Sequence, residues 1–420
     1  MTRITSVSSL LLGFLLFAVA QQTADRTIAS PAQGQTVTQP TRKLFLTGDG
    51  TAFIDINGRV VISASDPQLQ EEIRKISRTF GMFRERPEPE TISLRFEEFS
   101  EGRAVVGWAL CPQCRNPFFL NALIDESGRV VIPPKNYDTR YGAFHEGLAK
   151  YTDRGWGFID RSGRIVTPAK YTEVGDFSEG RAFVAGTERQ RYGYINKEGQ
   201  LVIPLQFTSA GDFHEGLALV ILRSVRYAFI DRTGKVVLQP KTRQSVDRFS
   251  EGLAAASVIV RNNRLYRGYQ EPKYGFMDRT GKFVIPPQFD LVERFSEGRA
   301  LFGQFVDDRT KWRDASRRGP VRVGYIDRTG QVIIKPEYVW GKVFSDGLAA
   351  VAVMTPDRKM MWGYIDREGR VVIKPQFTNA MSFSGGLAAV NCDDYARNCK
   401  TYIDKEGKVV WQGGIGGSSR

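Results

Sequence analysis

The phrase YGFMDRTGKFVIPPQF at 274–289 is written again, nearly letter for letter, as WGYIDREGRVVIKPQF at 362–377, and close relatives bring the total to nine. No other feature limits the possible folds so strongly, because a unit recurring at short intervals packs on copies of itself and builds an array. The Asp that closes each aromatic–aliphatic–Asp triplet, or its counterpart, falls at Asp55, Asp125, Asp160, Asn196, Asp231, Asp278, Asp327, Asp366 and Asp404. A second marker, the Gly of FSEG, falls at Gly102, Gly147, Gly180, Gly216, Gly252, Gly298, Gly347 and Gly386. From the second unit on, the step from first to second marker is 20 to 22 residues, whereas the step to the next Asp runs from 13 to 29. Length variation is therefore confined to one connection of the unit.

Each unit reads as β structure. WGFID (156–160) and RIVTP (164–168) are rich in aromatic and β-branched residues, which suit strands. Between them an Asp that can bond its own backbone precedes a Gly that accepts positive φ, the composition of a tight hairpin turn. The EGLAAV-like segments supply a further strand. The expected unit is a three-stranded antiparallel meander of loop-strand, Asp-strand and Pro-strand, and about nine fit between residues 43 and 411. No half unit is left at either end, whereas closed propellers often split one blade between the termini. The expected architecture is thus all-β, an open β-solenoid or superhelix, with a closed propeller-like ring as the alternative.

One insertion differs. DPQLQEEIRKISRTFG (66–81) has Asp66 as N-cap, Pro67 at the first helical position, Gly81 past the end, and an apolar stripe of Leu69, Ile73, Ile76 and Phe80. It predicts a short amphipathic helix laid over the first unit, where a terminal repeat needs covering.

At the amino terminus, Arg3 precedes an uncharged stretch whose apolar part, LLLGFLLFAVA, ends in Ala18-Val19-Ala20. This pattern predicts a signal peptide over 1–20, cut after Ala20, and a secreted or periplasmic protein. The apolar run is shorter than the roughly 20 residues of a spanning helix, so no transmembrane segment is expected in the mature chain. Residues 21–42, without aromatics, read as a flexible linker, and 412–420 as a flexible tail. The 41% apolar content, with 27 Phe and 15 Tyr, is enough for a core, and the formal charge of +13 favours an acidic partner.

The phrases WGFIDRSGRIV, YGYINKEGQLVIP and WGYIDREGRVVIKPQF…FSGGLAAV, in this order and repetition, resemble the WG-repeat family of bacterial exported repeat proteins. The resemblance spans residues 51–411. It implies an all-β repeat of about this period and implies no reaction. The first two units lack the Trp-Gly or Tyr-Gly pair.

Candidate chemistry is sparse. His145 and His214 both occupy the slot that holds Ser in six other FSEG turns, and read as turn substitutions. Glu179 and Asp160 sit beside turn glycines and read as backbone acceptors in preference to a calcium site; no metal and no cofactor are expected. The aromatic column Trp156, Tyr192, Tyr227, Tyr274 and Trp362 suits sugar stacking, but Gly157, Gly193, Gly275 and Gly363, which follow four of them, leave a gap for a ring of the neighbouring unit, so packing between units is the expected role. Cys111 with Cys114, and Cys392 with Cys399, lie in two of the variable loops and are expected as disulfides in an oxidising compartment. The longest loops, 261–273 and 307–322, carry Arg264, Arg267, Tyr269, Lys311, Trp312, Arg313, Arg317 and Arg318. Guanidinium forks suit carboxylates and phosphates, and aromatic rings suit sugar faces. The chain thus reads as a non-enzymatic exported protein that binds an acidic envelope glycan or a protein partner through these loops. Nucleic acid is not expected, given the export signal. The alternatives are a thiol–disulfide oxidoreductase using the CPQC pair and a purely structural or inhibitory scaffold.

Overall fold

The computed structural model describes residues 43–80, 91–109, 119–137, 139–187, 191–223, 226–241, 245–260, 271–305, 321–391 and 401–413. Within them, nine separate antiparallel sheets follow one another along the chain, seven of four strands and two of three. They are the blades of a β-propeller. Blade 4 shows the pattern: Glu173–Val174, Ala182–Ala185, Tyr192–Ile195 and Leu201–Phe207 form a simple meander. The second, third and fourth strands are the expected ones. The first, absent from the three-stranded expectation, is two residues long here and pairs only through Glu173–Ala185 and Val174–Val184. So short a strand, ending in Gly-Asp, leaves no alternation to read.

The hairpin between third and fourth strands forms as its residues dictate. In blade 3 the Asp160 carboxylate accepts from the N–H groups of Ser162 and Arg164, and Gly163 closes the turn at φ +84°. The glycines at this slot in all nine blades have φ between +78° and +87°, the left-handed region that is cheap for glycine alone. Each such glycine lies on the fourth strand of the preceding blade: Gly163 against Ile132, Gly234 against Ile203, Gly407 against Ile373.

That contact decides the architecture. Gly58, in the hairpin of blade 1, lies on Val410 in the last strand of blade 9, so the ninth junction is made like the other eight and the ring is closed. Buried Phe45, Ile54 and Leu387 pack there with Tyr402, Val410 and Trp411. The expectation of an open solenoid is corrected: the alternative, a closed propeller, is what forms. Closure comes from side-chain packing between two blades that each keep their own strands, Phe45–Leu46, Ala52–Ile54 and Val60–Ser63 in blade 1 and Ala388–Val390, Thr401–Ile403 and Val409–Gln412 in blade 9. A ring shut in this way leaves no split blade in the sequence.

The helix forms over Pro67–Thr79, with the Asp66 carboxylate accepting from the N–H groups of Gln68 and Leu69. Leu69 and Ile73 are buried in one core with Phe53 and Ile62 of blade 1 and Phe96, Val106 and Trp108 of blade 2. Trp108 Nε1 donates to Ser77 Oγ at 3.0 Å, and Gln70 Nε2 donates to the carbonyls of Ala64 and Ile92. The helix is therefore a wedge between two blades. It does not cap an exposed end, because a closed ring has none.

Candidate functional site

Alternating strand direction puts the 1–2 and 3–4 turns of every blade at one end of its strands. The 2–3 connections lie at the other end, so the ring has a turn face and a loop face. The turn face is occupied by a bonded circuit. In FSEG the Glu and Gly both take positive φ, for example Glu179 at +52° and Gly180 at +75°. The Glu carboxylate then accepts from the Gly N–H of the next blade: Glu101 from Gly147, Glu146 from Gly180, Glu179 from Gly216, Glu215 from Gly252, Glu251 from Gly298 and Glu297 from Gly347. Cations on the neighbouring hairpins join them, as in Arg232–Glu179 at 2.8 Å and Arg367–Glu297 at 2.7 Å. The Ser of the motif completes the circuit, Ser178 Oγ donating to the Phe213 carbonyl and Ser345 Oγ to that of Phe383.

Burial draws the carboxyls of Glu101, Glu146 and Glu179 upward, but the donors of the next blade outweigh it and hold all three below the usual range. Asp160, fixed first by the Ser162 hydroxyl, is held at about 2. These acids are spent on the backbone, as their place beside turn glycines suggested. Among the described residues no group of three His, Cys, Asp or Glu is arranged to hold a metal. Replacing Glu297 by Ala is expected to cost about 2 kcal/mol, since it strands the Gly347 N–H and removes the Arg367 pair while the left-handed backbone strain stays as it was. Glu297→Gly should cost less, because it removes the carboxylate but relieves the backbone. Urea unfolding midpoints check the order; equal losses would exclude the backbone contribution.

The histidines replace the Ser bond and reach the residue before the Phe of the next blade. His145 Nε2 lies 3.8 Å from Asp176, and His214 Nε2 lies beside Arg248. Burial and then Arg248 push the His214 imidazole down. Asp212 occupies the same slot before its Phe and is pushed up by burial and by Asp176, with Lys150, Arg248 and His145 opposing. The residues in that slot, Glu98, Ala143, Asp176, Asp212, Arg248, Arg294, Val343 and Ser382, vary freely in charge. That variation is the only mark the row leaves in the sequence.

The glycine after each leading aromatic has a different reason from the one expected. A Cβ on Gly157, Gly193, Gly275 or Gly363, or on Gly324 after Val323, would lie 2.3 to 2.4 Å from a carbonyl oxygen of the fourth strand of the same blade. The register shifts there, between Tyr274 and Phe276 for instance, and the bulge drives that carbonyl against the glycine. The gap is filled by backbone of its own blade, and no neighbouring ring enters it. The leading aromatic instead faces the end of that fourth strand, as in Tyr192–Phe207, Tyr274–Phe289 and Trp362–Phe377.

Arg264, Arg267, Tyr269, Lys311, Trp312, Arg313, Arg317 and Arg318 lie outside the described residues, as do Cys111, Cys114, Cys392 and Cys399. The strands that bound the two basic loops are Leu253–Val260 with Glu271–Met277 and Ala300–Phe305 with Val321–Ile326, the second and third strands of consecutive blades 6 and 7. Both loops leave the loop face at equivalent positions.

A concave feature sits where the ring closes. A cavity of roughly 970 Å³ runs from blade 9 past the edge of blade 1 to blade 2, walled by Leu46, Asp49, Glu97, Glu98, Ser384 and Tyr402 among others. The circuit changes character at this seam. The FSEG Glu becomes Gly385, a Cβ on which would meet Lys43 at 2.3 Å, and Lys43 Nζ donates to Ser384 Oγ at 2.7 Å. Tyr402 Oη donates to the Leu46 carbonyl at 2.6 Å.

The family profile described as WG containing repeat matches residues 123–155, 156–185, 192–223, 227–258, 274–304, 324–353 and 362–395, more than half of the chain. A matched segment such as 192–223 spans the last two strands of one blade and the first two of the next. Among solved structures, the chain is similar to BamB from Moraxella catarrhalis, with 10% identity over 75% of this chain and 92% of that one and a TM-score of 0.33. It is also similar to the β-propeller domain of the Trilobed protease from Pyrococcus furiosus, with 8% identity, coverage of 71% and 90%, and a TM-score of 0.37. A third likeness is to the WD40 β-propeller domain of Doa1, with 12% identity, coverage of 60% and 89%, and a TM-score of 0.29. No curated protein sequence matches the chain.

Proposed function

The chain belongs to the WG-repeat family, and we propose that it acts as an exported, non-enzymatic binding scaffold whose loop face engages an acidic partner. One observation carries the reading: the recurrent residues are consumed by bonds within and between blades, while the connections of unequal length all issue from the opposite face. Rigid rings that carry variable loops are suited to recognition. The basic and aromatic residues of loops 261–273 and 307–322 fit carboxylate- or phosphate-bearing ligands, an envelope glycan or an acidic protein surface. Export rests on Arg3, the apolar run after it and the Ala18-Val19-Ala20 site.

The test is retention on peptidoglycan and on lipopolysaccharide, using protein recovered from the envelope fraction, whose amino terminus should read Gln21. Changing Arg313, Arg317 and Arg318 to Ser is expected to reduce retention about tenfold at low salt, each lost contact weakening the electrostatic attraction. Equal retention of both proteins would remove these loops from the proposal. Retention on neither glycan, with capture of an acidic protein that the triple variant fails to capture, would assign the face to a protein partner.

A further inference from the structure

In blades 2 to 8 the edge of the second strand that faces away from the third is covered by the first. In blade 4 the Gly175 N–H donates to the Phe183 carbonyl and the Thr172 N–H to that of Ala185. Blade 1 has no such strand among the described residues. Its register sets Phe45 opposite Ile54 as Ala182 lies opposite Ile195, which gives Leu46 and Gly48 the places of Phe183 and Ala185. Their carbonyls are the edge acceptors. The Leu46 carbonyl receives the Tyr402 hydroxyl of blade 9 where another blade receives a strand N–H. An uncovered edge of this kind is a template for an added strand.

The edge opens into the seam cavity, and acids outnumber bases on its wall: Asp49, Glu97, Glu98, Glu101 and Glu126 face Lys43 and Arg95, which donate to the Ser384 hydroxyl and the Asp49 carbonyl. Glu97 and Glu98, on the blade 2 wall, form no ion pair among the described residues, whereas their neighbour Glu101 pairs with Arg161. Burial keeps the Glu97 carboxyl above its usual range, the behaviour of an acid that lacks a counter-charge. The roughly 970 Å³ of the cavity is at the upper end of what peptide- or ligand-sized sites enclose.

We propose that the seam takes an extended basic segment of a partner protein, which adds as the fourth strand of blade 1 on the Leu46–Gly48 edge and sets Lys or Arg against Glu97 and Glu98. Backbone bonds to the edge give affinity without sequence preference, and the two acids select positive side chains at alternate positions. This site is separate from the loop face and does not depend on the reading of it.

The experiment is fluorescence anisotropy of the full mature chain with a labelled peptide of alternating valine and lysine, against its valine–glutamate counterpart. The basic peptide should bind saturably and the acidic one should not. The double variant Glu97→Gln, Glu98→Gln should bind the basic peptide about tenfold more weakly while its circular dichroism and melting midpoint stay native. The Arg313, Arg317 and Arg318 triple variant should bind as the native chain does, so failure of this site and failure of the loop face are told apart. No saturable binding, or equal affinity of the Gln variant, or equal binding of the two peptides, would overturn the proposal. Binding competed by self-association of the chain in sedimentation would assign the seam to a second copy and overturn it as well.

Discussion

Alanine in place of Gly275 is expected to destabilise the ring by about 3 kcal/mol, the upper range for forcing an atom into a packed interior. The new Cβ would lie 2.4 Å from the Ile285 carbonyl oxygen and 2.7 Å from Pro286 and Pro287 backbone atoms, none of which can rotate aside. The comparison is Gly298→Ala, where nothing lies within 4 Å but φ is +77°. Only backbone strain acts there, about 1 kcal/mol. Denaturant midpoints of the two variants measure the difference. Equal losses would mean that the bulge yields and that the glycine after each leading aromatic is not required by close approach.

This pair of glycines also shows how far the sequence could be read. The turn glycines were legible because a tight turn is a local matter: Asp, two polar residues and Gly within one hairpin are enough. The helix was legible for the same reason, Asp66, Pro67 and the spacing of Leu69 and Ile73 being local signals. The glycine of Trp-Gly was seen to mark a gap, but its filler is a carbonyl ten residues away, displaced by a bulge that no residue type announces. The first strand was missed because in blades 4, 7 and 8 only two of its residues pair, and in blades 3, 5 and 6 an irregularity breaks its register. Closure was misjudged because a split blade was the signal sought. The informative letter was Gly385, where FSEG becomes FSGG: the Glu is lost at the one turn whose neighbour is Lys43.

Acid should weaken the protein over a defined window. The carboxyls of Asp125, Asp160, Asp231, Asp278, Asp327 and Asp366, with Glu101, Glu146 and Glu179, are all lowered in the folded chain. Each therefore contributes stability that is fully present above its unfolded value, near 4, and is lost as pH falls through the folded one, about 2 for Asp160. Asp212 and Glu97 are raised and act in the opposite sense, gaining as they protonate. His214, lowered by burial and Arg248, loses a little stability as pH falls below about 6.5 and offsets that gain, so the melting midpoint is expected to change little from pH 7 to 5 and to fall steeply between pH 4 and 2. A steep decline that begins near neutrality, or none by pH 2.5, would contradict the assignment of these acids to the turns. Because many of the bonds involved come from backbone N–H groups, the loss should persist at high salt, where exposed ion pairs are screened.

The seam imposes an order on biosynthesis. Its bonds join Lys43 to Ser384 and Leu46 to Tyr402, 341 and 356 positions apart. A nascent chain can stack neighbouring blades as they emerge, each contact being short in sequence, yet the circle cannot shut until blade 9, with Val410 and Trp411, has been made. Up to that moment the amino-terminal blade keeps Phe45 and Ile54 facing water. Such a bare apolar end is the surface on which folding chaperones act and on which unfinished molecules join one another.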